Sequence, residues 1–487
     1  MVGQPGKKKI LMVASEATPF AKTGGLADVV GSLPIALQSL GYDVAVLLPR
    51  YTSVDLKSAR RVYDSLPIWL PPVGYDTSLY MIHREIPFYF LDCPPLFDRP
   101  GFYGHDGVDY PDNHIRFAVL AQAALAMSRH VFRAEIIHGH DWQAGLVPVY
   151  LRTTYARDPT LSTVRTVFTV HNLGYHGIFP ERALAEIGLA GANVFHLEGL
   201  EFFGKVCYLK GGLCFSEALT TVSPTYAREI QTPEYGFGMD GVLRARSNAL
   251  TGILNGVDYS EWNPETDRFI AANYSLTDVT GKRVCKRDLL EAFGLPIEAI
   301  DAPLLGMAAR FTAQKGADII AEVADAIVAE GFYMAALGAG EQQYEELFQA
   351  MAARHPTRIA VRVGYDNALA HKIEAGADLF LMPSRYEPCG MNQMYSLKYG
   401  TVPVVRATGG LDDTIEPSTG FKFWPYSGRA LLSALHAARQ MYADPENWRA
   451  MLLAGMAKDF SWNVSATEYI RLYERICGQH LPAKADV

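Results

Sequence analysis

Short apolar runs rich in β-branched and aliphatic residues recur along the first half of the chain, at 10–14, 44–48, 136–138, 167–170 and 219–222, with stretches of helical spacing between them. Continuous apolar runs of this length are the pattern of strands buried on both faces, and intervening helices make the strand–helix–strand unit. After Asn255-Gly256-Val257-Asp258 the rhythm begins again, with runs at 304–308, 333–337, 359–363, 379–382 and 402–405, close to the ~30-residue βαβ repeat. The pattern predicts an α/β chain of two Rossmann-like, doubly wound domains in tandem, 1–250 and 251–465. A terminal segment, 466–487, carries a helix whose attachment the periodicity leaves open. Ligands are expected at the carboxyl ends of the strands and in a cleft between the domains. The stretch 71–110, rich in Pro, Gly and aromatics, breaks the rhythm and predicts strands with surface loops.

Four clusters of polar residues fall where strands end. The first strand runs into Lys22-Thr23-Gly24-Gly25 ahead of a helix whose apolar positions are Leu26, Val29, Val30, Leu33 and Leu37. Paired glycines at a helix start let N–H groups approach an anion, and Lys22 adds a charge; the same residues also fit a plain glycine turn with a solvated lysine. His138-Gly139-His140-Asp141-Trp142 and His171-Asn172 follow two further strands. The histidines fit a hydrogen-bonded core pair, and with no third ligand at a recognisable spacing no metal site is expected. Arg310 and Lys315, on the loop after a second-half strand, could straddle a diphosphate or be surface charges. The fourth cluster, Ser384-Arg385-Tyr386-Glu387-Pro388-Cys389-Gly390, precedes a helix expected from about Met391. Held there, Glu387 can accept hydrogen bonds from sugar hydroxyls or stabilise an oxocarbenium-like centre, while the N–H groups of Gly390 and Met391 can hold a phosphate. It also reads as an ordinary helix-start glutamate favoured by the dipole, and Cys389 as a small buried residue.

Composition narrows the classes. Apolar residues make up 49%, which excludes a disordered or fibrous chain, and 44 Lys+Arg against 52 Asp+Glu leave a formal charge of −8 with no basic patch for nucleic acid. No apolar run approaches the ~18 residues of a membrane span. The lysines at 7–9 precede an apolar run that meets Glu16 too soon for a signal peptide, so a first buried strand is expected. The six cysteines show no CxxC or zinc-ligand spacing, which fits a reducing cytoplasm.

In order along nearly the whole chain, Lys22 to Val29, His138 to Trp142, His171-Asn172, Asn255 to Asp258, Arg310 with Lys315-Gly316, Glu387 to Gly390 and Thr408-Gly409-Gly410-Leu411 resemble the bacterial glycogen synthases and plant starch synthases. The resemblance implies a GT-B glycosyltransferase that moves glucose from ADP-glucose to the non-reducing end of an α-1,4-glucan with retention, without a cofactor or metal. It implies that the terminal helix returns to the first domain. It assigns catalytic roles to Glu387, Asp141, Arg310 and Lys315. Donor contacts fall to Lys22, Gly24, Gly25, His171, Asn172, Cys389, Gly390 and Met391, and to Tyr365, which matches an aromatic that stacks on adenine. Glu16, Asp28 and Asn255 match positions near the acceptor. The partners implied are ADP-glucose and glycogen or another α-1,4-glucan, with no nucleic acid and no membrane; a homo-oligomer stays open.

The chain departs from the family's commonest pattern at Met391 and Asn392, where Leu and Thr are usual, and at Gly174 and His176, where Ala and Gln are more frequent. The first pair sits beside the phosphates, so a shift in donor affinity is the expected consequence. No carboxylate stands out as a nucleophile. Attack by the glucan 4-hydroxyl on the face the diphosphate leaves is therefore the expected route. The rival readings are a related transferase using UDP-glucose and a non-catalytic paralogue; intact charges at 22, 310, 315 and 387 argue against the second.

Overall fold

In the computed structural model, residues 7–478 are described, and the chain divides into two compact units. The first takes in the chain up to Val222, Ala227–Gly256 and the chain from Trp462 onward; the second takes in Ser223–Tyr226 and Val257–Ser461. The divisions expected after 250 and 465 fall instead after Gly256 and Ser461, because Val257 is bound into the second unit, its N–H donating to Phe460 O at 2.7 Å. Residues 1–6 and 479–487, included in the expected ranges, lie outside the described residues.

The first unit is built on a nine-stranded sheet. Its strands are β1 (Lys9–Val13), β2 (Asp43–Pro49), β3 (Arg60–Tyr63), β4 (Ser78–His83), β5 (Pro87–Asp92), β6 (Ile136–His140), β7 (Arg165–Val170), β8 (Ala218–Thr221) and β9 (Leu250–Gly252), in the spatial order β9-β8-β7-β6-β1-β2-β5-β4-β3. From β9 to β5 all pairings are parallel, and β4 and β3 extend that edge antiparallel. Alternate side chains of β1 enter opposite cores: Leu11 and Val13 one, Ile10 and Met12 the other. Both faces are thus covered, which is why β1 and β2 read as unbroken apolar runs. Order reverses between β1 and β6, so the loops after these strands diverge and leave an opening at their carboxyl ends.

The helix Trp462–Gly478 belongs to this unit, with Tyr469, Leu472, Tyr473 and Ile476 in one core with Val29, Val30 and Leu33 of the helix Gly25–Ser39. Its Tyr473 hydroxyl lies 2.8 Å from His138 Nδ1, while His138 Nε2 lies 2.6 Å from Thr169 Oγ1. These bonds are how β6 carries a fully buried histidine, His138, at the end of the run at 136–138.

The second unit holds six parallel strands, β10 (Leu304–Ala308), β11 (Tyr333–Gly338), β12 (Ile359–Val363), β13 (Leu379–Met382), β14 (Val402–Arg406) and β15 (Phe421–Phe423), ordered β12-β11-β10-β13-β14-β15. The reversal here lies between β10 and β13. After β13 comes the helix Asn392–Lys398, with Met391 as its cap residue.

Tyr473→Phe leaves a buried imidazole nitrogen of His138 without its partner. Unfolding free energy in urea is expected to drop by about 1–3 kcal/mol; full stability would remove this bond as the anchor of the terminal helix.

Candidate active site

The reversal point of the second sheet brings two of the motifs together. Arg310 and Lys315 follow β10, Glu387 follows β13, and Lys315 Nζ meets Glu387 Oε2 at 2.5 Å. Ser384 Oγ donates to the same oxygen at 3.0 Å, and Glu387 is 6% exposed. The carboxylate is thereby fixed through Oε2, while Oε1 takes no hydrogen bond among the described residues. Arg310 is exposed on the same loop and has no hydrogen bond or ion pair among the described residues. The Glu387 loop is clamped by the start of the helix Gly409–Thr414: Gly410 N–H donates to Glu387 O at 3.2 Å, and a Cβ on Gly410 would lie 2.2 Å from Cys389 O. A Cβ on Gly409, which stands at φ 46°, would lie 1.9 Å from Glu387 O. Only glycines allow the two backbones to meet there. Asn392, where the family more often has Thr, donates its amide to Ala308 O at 3.0 Å and ties the helix start to the end of β10. The N–H groups of Gly390 and Met391 have no acceptor among the described residues, and the neighbouring Cys389 is buried.

At the reversal point of the first sheet, the loop after β1 is held by Glu16, which is 3% exposed. Its carboxylate accepts from the Thr23 N–H, from the Thr23 hydroxyl at 2.7 Å and from the Tyr103 hydroxyl. Glu16 thus shapes the turn that presents Lys22, Gly24 and Gly25, and Gly24 precedes the helix with no side-chain cap. The Lys22 ammonium rests 2.7 Å from Asp28 Oδ1, so it is ion-paired across its own turn. Tyr103 lies in the stretch 71–110 and nothing in its sequence neighbourhood marks it.

Beside it, β6 delivers Asp141 and β7 delivers His171 and Asn172. Asp141 has φ 54° and ψ −177°, a region that costs a non-glycine residue about 1–3 kcal/mol and persists where the surroundings over-determine it. Those surroundings are the His171 N–H, which donates to Asp141 Oδ1 at 2.7 Å, and the Asn172 N–H. Burial pushes the Asp141 carboxyl up to about 7 against the pull of those two amides, and Glu16 adds to the rise. Burial also holds His138 and His171 down to about 3 and His140 well below its ordinary value, so all three imidazoles are neutral near pH 7. His140 Nδ1 lies 3.0 Å from His171 Nε2, and the His138 and His140 rings stack at 4.2 Å. The expected pair is therefore a row, with each histidine bonded outside the pair. Among the described residues no three His, Cys, Asp or Glu side chains are grouped to hold a metal ion.

Of the remaining expected residues, Asn255 is buried in the first unit with Oδ1 unpartnered. Tyr365, on the loop after β12, is 87% exposed and presents a free ring. Ser384 and Tyr103 are the polar groups at these loops that motif reading did not assign.

Two doubly wound units with their charges at the reversal points have the architecture of GT-B glycosyltransferases, and residues 297–450 match the family described as glycosyl transferases group 1. Residues 9–245 match the starch synthase catalytic domain. The chain is 50% identical over 476 residues to a glycogen synthase of Koribacter versatilis, covering 96% of this chain and 98% of that one. It is 47% identical to a glycogen synthase of Myxococcus xanthus, covering 96% and 100%. The solved catalytic domain of starch synthase IV from Arabidopsis thaliana, bound to ADP and acarbose, superposes with a TM-score of 0.88 at 32% identity, covering 98% of this chain and all of that one. Sucrose-phosphate synthase from Thermosynechococcus elongatus shares the fold, at a TM-score of 0.59 and 17% identity over 96% and 99% of the two chains. The chain belongs to the glycogen and starch synthase family.

Native Asp141 keeps its proton to about pH 7, whereas the unfolded carboxyl has lost it from near pH 4 upward. The folded state therefore binds more protons in that window, and wild-type stability falls as pH rises through it. Asp141→Asn retains an acceptor for the two amides without the ionisation. Relative to wild type its unfolding free energy should climb by on the order of 2–3 kcal/mol between pH 5 and 7.5; a flat difference would refute the raised carboxyl. The neutral histidines act in the other direction: their contribution is complete above pH 6.5 and is lost as pH falls towards 3.

Proposed function

We propose that this chain transfers glucose from ADP-glucose to the 4-hydroxyl at the non-reducing end of an α-1,4-glucan, with retention of configuration and release of ADP. The observation that carries the residue roles is the Lys315–Glu387 pair at the reversal point of the second sheet, with unpaired Arg310 on the same loop. Loss of ADP places negative charge on the diphosphate and positive charge on the glucosyl ring. Arg310 and Lys315 act on the first, together with the N–H groups of Gly390 and Met391. Glu387, held by Lys315 and Ser384, presents its other oxygen to the second. Lys22 reaches the donor by leaving Asp28, and Tyr365 offers a ring for the base to stack on. Asp141, His171 and Asn172 contact sugar hydroxyls, and Asn255 offers an unpartnered acceptor to the glucan. Glu16 and Asp28 act through the Lys22 turn that they hold.

In the transfer step the bond from the anomeric carbon to the diphosphate oxygen breaks and the bond to the glucan 4-oxygen forms on the same face. The proton of that hydroxyl passes to the departing diphosphate. This route asks of the two carboxylates only that they stay where their contacts hold them, Glu387 on an ammonium and a hydroxyl and Asp141 on two amides. No metal or cofactor has a role in this reading, since the chain's own cations serve the leaving group. A reducing cytoplasm is the compartment it implies; none of the six cysteines is in a disulfide, and no described helix is long and apolar enough to cross a membrane.

Glycogen incubated with ADP-glucose or with UDP-glucose, following nucleoside diphosphate release and glucose incorporation together, tests the reaction. Incorporation from ADP-glucose is expected. Preference for UDP-glucose would refute the donor, and none from either would refute transfer. Lys315→Ala and Glu387→Gln, shown to fold by circular dichroism, should each lose about 10²–10³-fold in kcat, whereas Lys22→Ala should chiefly raise the donor KM. A glucosyl adduct trapped on Glu387 or Asp141 would overturn same-face attack.

A further inference from the structure

Ligands of doubly wound sheets gather at the carboxyl ends of the strands, yet the first unit has a cavity of about 440 Å³ at the opposite end. It opens at the amino edge of three adjacent strands: Lys8 precedes β1, Glu135 precedes β6 and Arg165 begins β7. Ser128, Arg133, Ala134, Thr160, Thr163 and Cys477 complete the wall. Three cations and one carboxylate line it, in a chain whose formal charge is −8; Arg165 has a partner of its own and Lys8 bonds the Cys477 thiol.

Two observations mark this cavity as a site. Neighbouring guanidiniums are neutralised, Arg129 by Asp158 and Arg152 by Glu217, but Arg133 has no ion pair or hydrogen bond among the described residues. Ser128, 1% exposed, is among the residues lining the cavity, and its buried hydroxyl has no partner among the described residues. A buried hydroxyl without a partner is costly, and a ligand oxygen would supply the missing bond. Arg133 stands at φ 52°, a left-handed conformation uncommon outside Gly, Asn and Asp. The volume lies within the ~300–1,000 Å³ of small-molecule sites. Guanidinium forks and an ammonium suit the oxygens of a phosphate, and the hydroxyls of Ser128, Thr160 and Thr163 suit a hydroxylated body.

We propose that this cavity binds a small phosphomonoester, its phosphate held by Arg133, Arg165 and Lys8 and its remaining oxygens by Ser128 and the two threonines. The site is separate from the transfer chemistry: it lies a strand's length of about 15 Å from the carboxyl ends, and it does not rest on the reaction assigned above.

Cys477, half-exposed in the wall, reports occupancy directly. The full-length protein is alkylated with iodoacetamide at pH 8.5, and the labelling rates of Cys477 and Cys214 are followed by peptide mass spectrometry. Inorganic phosphate at ~10 mM should slow Cys477 roughly fivefold relative to sodium chloride of equal ionic strength, as a low-millimolar Kd requires, and leave Cys214 unchanged. Glucose 6-phosphate protecting at tenfold lower concentration would identify a sugar phosphate as the occupant, and equal protection would identify free phosphate. Arg133→Asn, which suits the left-handed backbone, and Arg133→Glu should both abolish protection. No slowing at ~50 mM, equal slowing by succinate, or protection that survives both variants would overturn the proposal.

Discussion

A parallel sheet wound outward in both directions from a middle strand must hold apart the loops on either side of the point where its order reverses, and both units of this chain concentrate their polar chemistry there. In the second unit the constraint is met by an ion pair between a half-buried lysine and a buried carboxylate. Lys315 and Glu387 come from strands on either side of the reversal, and their contact fixes the opening that the diverging loops create. Desolvating such a pair is expensive unless its remaining valences are met, which gives Ser384 its place and explains why the backbone around Glu387 is so closely packed. Gly409 and Gly410 let a helix start press onto that loop, so the carboxylate is located by main chain as well as by charge.

The first unit solves the same problem with backbone amides. Glu16 gathers the Thr23 N–H, and Asp141 gathers those of His171 and Asn172. In each case a carboxylate organises main chain further along the sequence, and the side chains flanking those amides, Lys22 and His171, inherit a fixed direction. The strained backbone of Asp141 is tolerated because both of its amide partners would be left unsatisfied if it relaxed.

The parallel strands were legible because strands covered on both faces are apolar throughout, as at 10–14, 44–48 and 304–308. The antiparallel edge was not: in β3 the residues Arg60, Arg61 and Tyr63 are exposed, leaving no pattern to read. The crossing points between the units were also hidden, since they depend on the long-range pairing of Val257 with Phe460 and Ser461. Motif reading located the charged loops because polar residues at the ends of apolar strands are conspicuous. It missed Tyr103, whose relation to Glu16 spans 87 positions, and it treated Lys22 as a free charge because the turn that brings Asp28 to it is a property of the folded loop. The histidines at 138 and 140 read as a pair, but strand alternation puts their rings on one face, and stacking with bonds to Tyr473, Thr169 and His171 is what that face permits.

The two reversal points differ in electrostatic character, and the difference follows from burial. Around β6 and β7 desolvation removes charge: three histidines are held neutral, and Asp141 is drawn towards its protonated form. What remains is a set of directional donors and acceptors, suited to the hydroxyls of a neutral sugar. Around β10 and β13 charge is retained. Arg310 is exposed to water, and Lys315 is matched by the carboxylate of Glu387. Full cations are what a departing diphosphate requires, because its charge grows as the bond breaks. A sugar site built of buried cations would bind no hydroxyl better for the cost of desolvating them, and a diphosphate site built of neutral imidazoles would give the leaving group nothing to lean on. The polar chemistry of the two sheets therefore differs in kind, directional and largely neutral around β6 and β7, formally charged around β10 and β13, and in each case burial decides which.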